Sequence, residues 1–177
     1  MIADIFMSYN PLIHHRQSIR LKGFDYSSVG YYFITICCFQ RLPCFGKIEN
    51  GHMILNANGL IAQDEWLNTT NKRQNIELDA FVVMPNHMHG IIHITNNMQN
   101  SINSNKASFR SPSQTVGAMI RGYKSAVTSQ LKQQIGHAVW QRNYYEHIIR
   151  NEQSYQTISN YIINNPAKWT NDKFYNQ

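Results

Sequence analysis

The stretch that decides the fold is Val82-Val83-Met84-Pro85-Asn86-His87-Met88-His89-Gly90-Ile91-Ile92-His93-Ile94. It predicts a strand that ends at its proline, a turn through the asparagine and a second strand that carries an H-x-H triplet. Successive side chains of a strand point to opposite faces, so His87 and His89 are expected on one face. Two imidazoles at this spacing can bind one divalent cation. Two ligands do not complete a metal site, so a third must come from elsewhere in the chain.

The flanking sequence predicts two further strands and three helices around this hairpin. Aromatic and β-branched residues predict a strand at 31–39, and a shorter apolar run predicts another at 138–142. Helical periodicity predicts three helices. The first covers 56–71, the second runs from a cap at Ser113 or Thr115 to Leu131, and the third covers 151–165. The order β-α-β-β-α-β predicts an α+β fold of the ferredoxin-like, split β-α-β type, with an antiparallel sheet and two helices on one face. The additional C-terminal helix is free to cover the other face.

Length and composition place limits on the class of protein. The chain has 177 residues, which predicts one domain at 23–177, preceded by a basic arm at 1–22 and containing a mobile polar loop at about 96–112. The net charge of +6 favours a polyanionic partner, either nucleic acid or an acidic membrane surface. No apolar run approaches the roughly 18 residues of a membrane helix, so no membrane-spanning segment is expected. We expect nucleic acid, and not a membrane, as the partner. Three cysteines without a C-x-x-C pair, and a start that does not resemble a signal peptide, predict a cytoplasmic protein.

The third metal ligand is not settled by spacing alone. His93 is expected on the same face of the strand as the histidine pair, but it lies about 13 Å along the strand from His89, which is too far to share an ion. Asp79 on the preceding strand remains open. The last helix offers Tyr161 and Asn165, which stand four residues apart and therefore on one helical face. The Asn165 amide can supply an oxygen to the cation, with the Tyr161 hydroxyl beside it.

Three segments in order carry a resemblance to a known family. They are M-P-N-H-M-H-G at 84–90, W-Q-R-N-Y-Y-E-H-I-I-R-N at 140–151 and Y-I-I-N-N-P at 161–166. Together they resemble the REP-associated tyrosine transposases, which are single-tyrosine HUH transposases and nucleases, and the similarity covers nearly the whole chain after residue 7. The resemblance implies metal-binding histidines at His87 and His89, a nucleophile at Tyr161 and a helix ligand at Asn165. Mobile relatives commonly carry glutamine at the last position, which is one methylene longer.

The resemblance also implies a reaction. A single-tyrosine enzyme cleaves and rejoins single-stranded or hairpin DNA by transesterification: the phenol attacks a phosphodiester, forms a 5′-phosphotyrosine and releases a 3′-hydroxyl. The expected cofactor is Mg²⁺ or Mn²⁺, although two imidazoles also accept Zn²⁺ or Ni²⁺. Related transposases form homodimers in which the tyrosine helix serves either subunit. Tyr144 and Tyr145 are rival nucleophiles, but neither has an amide side chain four residues later.

Basic residues outside the motif core are candidates for DNA contacts. A solvated helix face or terminus is the alternative interpretation for most of them. The candidates for phosphate binding are Arg16, Arg20, Arg121, Lys124, Arg142 and Arg150.

Other functions remain open at this stage. The same element order occurs in RNA-recognition modules, in which sheet aromatics such as Tyr31, Phe33 and Phe39 stack on bases without any catalysis. A zinc hydrolase built on the histidine pair would need a carboxylate or histidine as third ligand, and the motif has no adjacent one. A transposase that binds DNA but no longer cleaves it is a further alternative.

Overall fold

The structure is a computed structural model that describes residues 25–95 and 115–175. The predicted basic arm at 1–22, with Arg16 and Arg20, and the predicted loop at 96–112 lie outside these ranges. The elements are β1 (Gly30–Cys37), β2 (Gly46–Glu49), β3 (His52–Leu55), α1 (Ala57–Leu67), α2 (Thr69–Lys72), β4 (Ile76–Val83), β5 (His87–Ile94), α3 (Val116–Leu131), β6 (Tyr145–Ile149) and α4 (Glu152–Asn164). A 3-10 segment, Pro166–Asn171, follows α4. Within the two described ranges, no helix is both long and apolar enough to span a bilayer.

An antiparallel four-stranded sheet forms the centre of the molecule, with the strand order β4-β5-β1-β6. This is the order of the ferredoxin-like plan, and it confirms the fold class predicted from the sequence. A separate hairpin, β2-β3, turns at Asn50 and Gly51, whose φ angles of 51° and 75° are both positive. A two-residue hairpin turn of type I′ requires positive φ at both central positions, which asparagine and glycine tolerate best.

The two faces of the sheet are covered by different helices. Helices α1 and α3 pack on one face, where side chains such as Tyr32, Ile34 and Met88 form the main core. Helix α4 packs on the opposite face, against β4 and β5, over a smaller cluster that contains Ile91 and Ile162. The predicted additional helix therefore covers the second face, which is the face that carries the histidine pair.

Gly90 of β5 marks the closest approach between the sheet and α1. A Cβ at this position would lie 2.5 Å from Cζ2 of the buried Trp66 ring. The glycine after the H-x-H triplet therefore has a packing role, because no larger side chain fits under the indole.

Two predicted elements are placed differently in the structure. The predicted helix at 56–71 is divided at Asn68 into α1 and α2. The predicted fourth strand at 138–142 was wrong: that segment makes a single bridge, Cys38 to Trp140, and the strand lies at Tyr145–Ile149. The chain after β1 bends through a turn in which Gln40 and Arg41 have positive φ, so the ladder stops there. Val139 and Trp140 of this segment are buried in the core instead of forming a strand.

Candidate metal centre and tyrosine

The histidine pair lies on the α4 face of the sheet, at the start of β5. Met84 N donates to His87 O at 2.8 Å and closes the tight turn that the sequence predicted at the proline and asparagine. The Nε2 atoms of His87 and His89 are 3.0 Å apart, and both side chains are buried. Two ligands at about 2.1 Å from an octahedral ion, at right angles to each other, are also about 3.0 Å apart. The spacing of the two nitrogens therefore fits a shared cation.

Each imidazole is held by a partner on its other nitrogen. The Asn86 amide oxygen lies 2.8 Å from His87 Nδ1, and the Thr35 hydroxyl lies 2.8 Å from His89 Nδ1. An amide oxygen only accepts hydrogen bonds, so His87 Nδ1 carries the proton and Nε2 keeps its lone pair. A hydroxyl donates or accepts, so Thr35 suits either tautomer of His89. Partners of this kind orient metal-binding histidines in known sites.

Burial keeps the imidazoles neutral. It lowers the pKa of His87 to about 4, an effect that Asp172 partly opposes. Burial also lowers the pKa of His89 well below its usual value, and the neighbouring His87 and Lys173 add to this effect. Neutral imidazole is the form that binds a metal, so the site does not need to lose protons at neutral pH before it binds one.

Asp172 is the third side chain of a cluster that could hold a metal ion, and sequence reasoning missed it. The candidate ligand atoms of His87, His89 and Asp172 all lie within 4.8 Å of one another. Asp172 directly follows the 3-10 segment, 83 residues after His89, in a part of the chain with no periodic pattern. The only sequence signal is a carboxylate seven residues after Asn165, which is weak. Asp79 is not part of the group: it accepts a short hydrogen bond from Tyr155 instead.

Tyr161 and Asn165 both contact Asp172, and the Tyr161 hydroxyl also reaches the histidine pair. The Tyr161 hydroxyl lies 3.0 Å from His89 Nε2 and donates to Asp172 Oδ2, also at 3.0 Å. The Tyr161 side chain is 38% exposed, so it can be reached from solvent. Burial of the hydroxyl and the charge of Asp172 raise the pKa of Tyr161, which favours the protonated phenol.

Asn165 is the last member of the cluster. It caps α4 and is buried, and its amide nitrogen donates to Asp172 Oδ2 at 2.7 Å. Its amide oxygen has no hydrogen-bond partner among the described residues. A buried, unpaired amide oxygen costs free energy unless a donor or a cation binds it. This orphaned oxygen, the facing Nε2 atoms and the carboxylate together fit a hard divalent cation.

Aromatic rings enclose the site. The Phe174 ring lies 4.4 Å from His87 and 5.8 Å from His89, and Trp169 lies 5.9 Å from His87, measured between ring centroids. Asn86 Nδ2 donates to Phe174 O at 2.8 Å and thereby ties the C-terminal segment to the β4-β5 turn. The rings reduce the access of water to the imidazoles, which strengthens electrostatic interactions within the site.

The other histidine and tyrosine candidates lie outside the cluster. His93 pairs with Glu77 at 3.0 Å and stacks on Tyr31, as expected for a satisfied histidine. The Tyr144 hydroxyl donates to Glu146 at 2.9 Å, and its ring packs against the core beneath the opposite face. Tyr145 lies on the site face, but its ring contacts Phe33, while the Tyr161 hydroxyl reaches the histidines.

The predicted DNA-contacting residues are dispersed. Arg121 is exposed on α3, which covers the face of the sheet opposite the site. The Lys124 ammonium donates to the carbonyls of Gln141 and, at 3.2 Å, Arg142, so it holds that segment in place. Arg142 is exposed, and Arg150 lines a cleft of about 380 Å³ beside the N-terminus of α4. Their roles in DNA binding stay predictions.

A solved structure has the same fold. The structure of a REP-associated tyrosine transposase bound to a REP hairpin aligns with 87% of this chain and 74% of its own chain, with a TM-score of 0.59 and 22% sequence identity. The chain thus has the fold of the REP-associated tyrosine transposases. By sequence it belongs to the same family as an uncharacterized protein of Haemophilus influenzae (strain Rd), which is 44% identical over 174 residues, 94% of this chain and 97% of that protein. No protein-family model matches the chain.

Proposed function

We propose that this protein is a metal-dependent endonuclease and strand transferase that cleaves and rejoins single-stranded DNA at hairpin or repeat ends. The observation that carries the proposal is the convergence of Tyr161 on the histidine pair, with 3.0 Å between the phenolic oxygen and His89 Nε2. A hydroxyl beside two neutral imidazoles, a carboxylate and an unpaired amide oxygen is arranged for covalent catalysis next to a cation. The likeness to a transposase bound to a REP hairpin supports hairpin DNA as the substrate class.

His87, His89, Asp172 and Asn165 would hold the metal. Oxygen ligands from the side chains and the DNA favour Mg²⁺ or Mn²⁺, as the resemblance implies. A bound divalent cation polarises a phosphate oxygen and offsets negative charge in the transition state. The carboxylate and the amide belong to the C-terminal end of the chain, so α4 and the segment after it contribute half of the ligand set.

The protein groups account for the bonds and protons of the reaction. The Tyr161 oxygen attacks the phosphorus and forms a 5′-phosphotyrosine, and the bond from phosphorus to the 3′ oxygen breaks. The phenolic proton leaves along the hydrogen bond to Asp172 Oδ2, and the departing 3′ oxygen takes a proton from water. Asp172 then returns its proton to the solvent, so no net proton is consumed. One phosphodiester replaces another, so the reverse reaction joins strands with the same groups and needs no nucleoside triphosphate.

The test is direct detection of the covalent intermediate. The purified protein is incubated with 5′-end-labelled and 3′-end-labelled hairpin DNA and Mn²⁺. The products are separated under denaturing conditions, and their masses are measured by mass spectrometry. The wild-type protein is expected to carry the DNA on Tyr161, and Tyr161→Phe to form no adduct while it still binds DNA. Tyr155→Phe, on the same helix but hydrogen-bonded to Asp79, is the matched control and should form the adduct. An adduct in Tyr161→Phe disproves the assignment.

The same experiment separates the alternatives. A non-catalytic module with an RNA-recognition-like fold binds the DNA and leaves it intact with every metal. The zinc hydrolase considered from the sequence lacked a carboxylate, and the structure brings Asp172 to the histidines. Hydrolysis by a metal-bound water leaves a free phosphate end and no protein-linked strand, so the mass of the products distinguishes it from transesterification.

A further inference from the structure

Tyr145 is an exposed aromatic residue in the same cross-strand row as His89, one of the two proposed metal-binding histidines. It pairs with Thr35 across β6 and β1, and Thr35 pairs with His89 across β1 and β5. Directly opposed residues of antiparallel strands share a face, so Tyr145 and His89 lie on one face, two strand spacings or about 10 Å apart. β6 is an edge strand of the sheet, and the Tyr145 side chain is 52% exposed.

A continuous line of rings connects Tyr145 to the site. The ring centroids of Tyr145 and Phe33 are 6.3 Å apart, and Phe33 lies 5.3 Å from His89 and 6.3 Å from Tyr161. The Lys173 ammonium lies 6.0 Å from the centre of the Tyr145 ring. The exposed ring, the ring beneath it and this cation form one surface that borders the nucleophile; we call Phe33 and Tyr145 the aromatic strip.

The fold itself does not use the exposed part of this strip. Helix α4 covers the far end of β6 at Ile149, where the smaller apolar cluster forms, and leaves Tyr145 open. A single exposed aromatic residue is common on protein surfaces. This one differs because it continues a line of rings that ends at the proposed nucleophile and because a cation lies over it.

We infer that the aromatic strip is a stacking site for an unpaired base of the DNA strand next to the cleaved phosphodiester. A base offers a flat π-face to the Tyr145 ring, and its phosphate offers a charge to Lys173, so one nucleotide satisfies both groups. Stacking accepts any base, so the strip holds the strand in register without reading its sequence. Its occupant is single-stranded, because a paired base does not expose its face. The inference rests on the proposed function for the place of the base next to the cleaved phosphodiester. It assigns Tyr145 to DNA binding.

The test compares two probes that differ only in their bases. Binding of a fluorescein-labelled oligothymidylate and of an abasic deoxyribose-phosphate oligomer of the same length is measured by fluorescence anisotropy in EDTA, so that no cleavage occurs. Stacking on an aromatic ring is worth roughly 5- to 150-fold in affinity per base. Tyr145→Ala is therefore expected to weaken oligothymidylate binding at least about fivefold, and to leave binding of the abasic oligomer unchanged.

Two variants serve as controls. Tyr145→Phe keeps the ring and should bind oligothymidylate like the wild-type protein. Leu60→Ala removes a side chain of similar exposure from α1, on the other face of the sheet, and should change neither affinity. Equal losses on both probes would mean a general effect on charge or folding and would overturn the inference. Wild-type protein that does not bind oligothymidylate, or Tyr145→Ala that binds it normally, would overturn it as well.

Failure of the inference and failure of the proposed function give different results. A wild-type protein that forms no phosphotyrosine adduct, with a base-dependent loss in Tyr145→Ala, rejects the nuclease and keeps the stacking site. An adduct on Tyr161 together with unchanged binding in Tyr145→Ala rejects the stacking site and keeps the nuclease. An adduct that is lost in Tyr145→Phe but kept in Tyr161→Phe would make Tyr145 the nucleophile and overturn both assignments.

Discussion

The Tyr161 hydroxyl and the Asn165 amide nitrogen donate to the same oxygen, Oδ2 of Asp172, at 3.0 and 2.7 Å. One carboxylate thus joins the proposed nucleophile to the proposed helix ligand, while its position also suits the cation. Burial and, after it, the negative charge of Asp172 raise the pKa of Tyr161. A cation that shares this charge would weaken its effect on the phenol, so the proposed metal binding and the proposed activation of the phenol would be coupled through Asp172.

The first prediction concerns Asp172→Asn, which keeps the shape of the side chain and removes its charge. Mutation of a residue that hydrogen-bonds to a metal ligand commonly lowers metal affinity about 10- to 100-fold, and loss of a direct ligand is expected to lower it at least as much. Mn²⁺ binding, measured by isothermal titration calorimetry, should weaken accordingly. Asp64→Asn, an exposed carboxylate on α1, is the control and should bind Mn²⁺ normally. Unchanged affinity in Asp172→Asn would exclude Asp172 as a ligand.

The second prediction concerns the unpaired oxygen of Asn165. Asn165→Ala removes that oxygen and the hydrogen bond to Asp172, so cleavage should need a higher Mn²⁺ concentration for half-maximal rate. Removal of a hydrogen bond to a charged group is also expected to lower the free energy of unfolding by about 1.5–3 kcal/mol. Asn164→Ala changes the preceding, exposed asparagine and is the matched control. If both variants show the same Mn²⁺ dependence, Asn165 does not bind the metal.

The third prediction concerns the pH dependence of stability in a chelating buffer. Burial lowers the pKa of His87 to about 4 and that of His89 well below 6.5, whereas the unfolded chain titrates near 6.5. Between these values the unfolded state binds more protons, so the free energy of unfolding is at its full value above pH 6.5 and falls as the pH drops toward 4. Each histidine contributes a slope of up to about 1.4 kcal/mol per pH unit.

Urea denaturation at a series of pH values between 7 and 4.5 measures this slope. The double variant His87→Gln, His89→Gln removes both groups, so its slope should be smaller than that of the wild-type protein. His137→Gln, which removes an exposed histidine outside the cluster, is the control for the loss of a histidine. Equal slopes in the wild-type protein and the double variant would show that the pair does not titrate as its burial predicts.

The fourth prediction tests the packing of β5 on α1. Gly90→Ala would place a methyl group 2.5 Å from Trp66 Cζ2, and overpacking of this kind costs about 1–3 kcal/mol. Chemical denaturation should show that loss. Gly136→Ala adds a methyl group where no heavy atom lies within 4 Å, so its stability should stay within about 0.5 kcal/mol of the wild-type value. A neutral Gly90→Ala would mean that the indole moves aside.

Much of the fold and part of the site could be predicted because both depend on local periodicity. Alternation along β5 fixes the common face of His87 and His89, and helical spacing brings Tyr161 and Asn165 together at the end of α4. These are consequences of backbone geometry within single elements. The sequence order of the elements then places α4 on the face left free by α1 and α3.

The remainder depends on how irregular segments fold back, which no period encodes. Asp172 reaches the histidines because Asn86 binds the backbone of Phe174 across the site, a contact between two turns. The fourth strand was displaced in the prediction because Val139 and Trp140 are as apolar as strand residues, although they pack into the core. Val139 and Trp140 are therefore apolar because they are buried in the core, and not because they belong to the sheet.

The arrangement of α4 over its own sheet has a consequence for mixtures of defective proteins. Tyr161 reaches His89 of the same polypeptide, so each copy would hold the full set of groups that the proposed reaction needs. A sample in which one half of the molecules carries His87→Ala and the other half Tyr161→Phe should stay inactive, since neither variant can lend its intact group to the other. Complementation between them would require α4 to leave its own sheet and dock on a neighbour's.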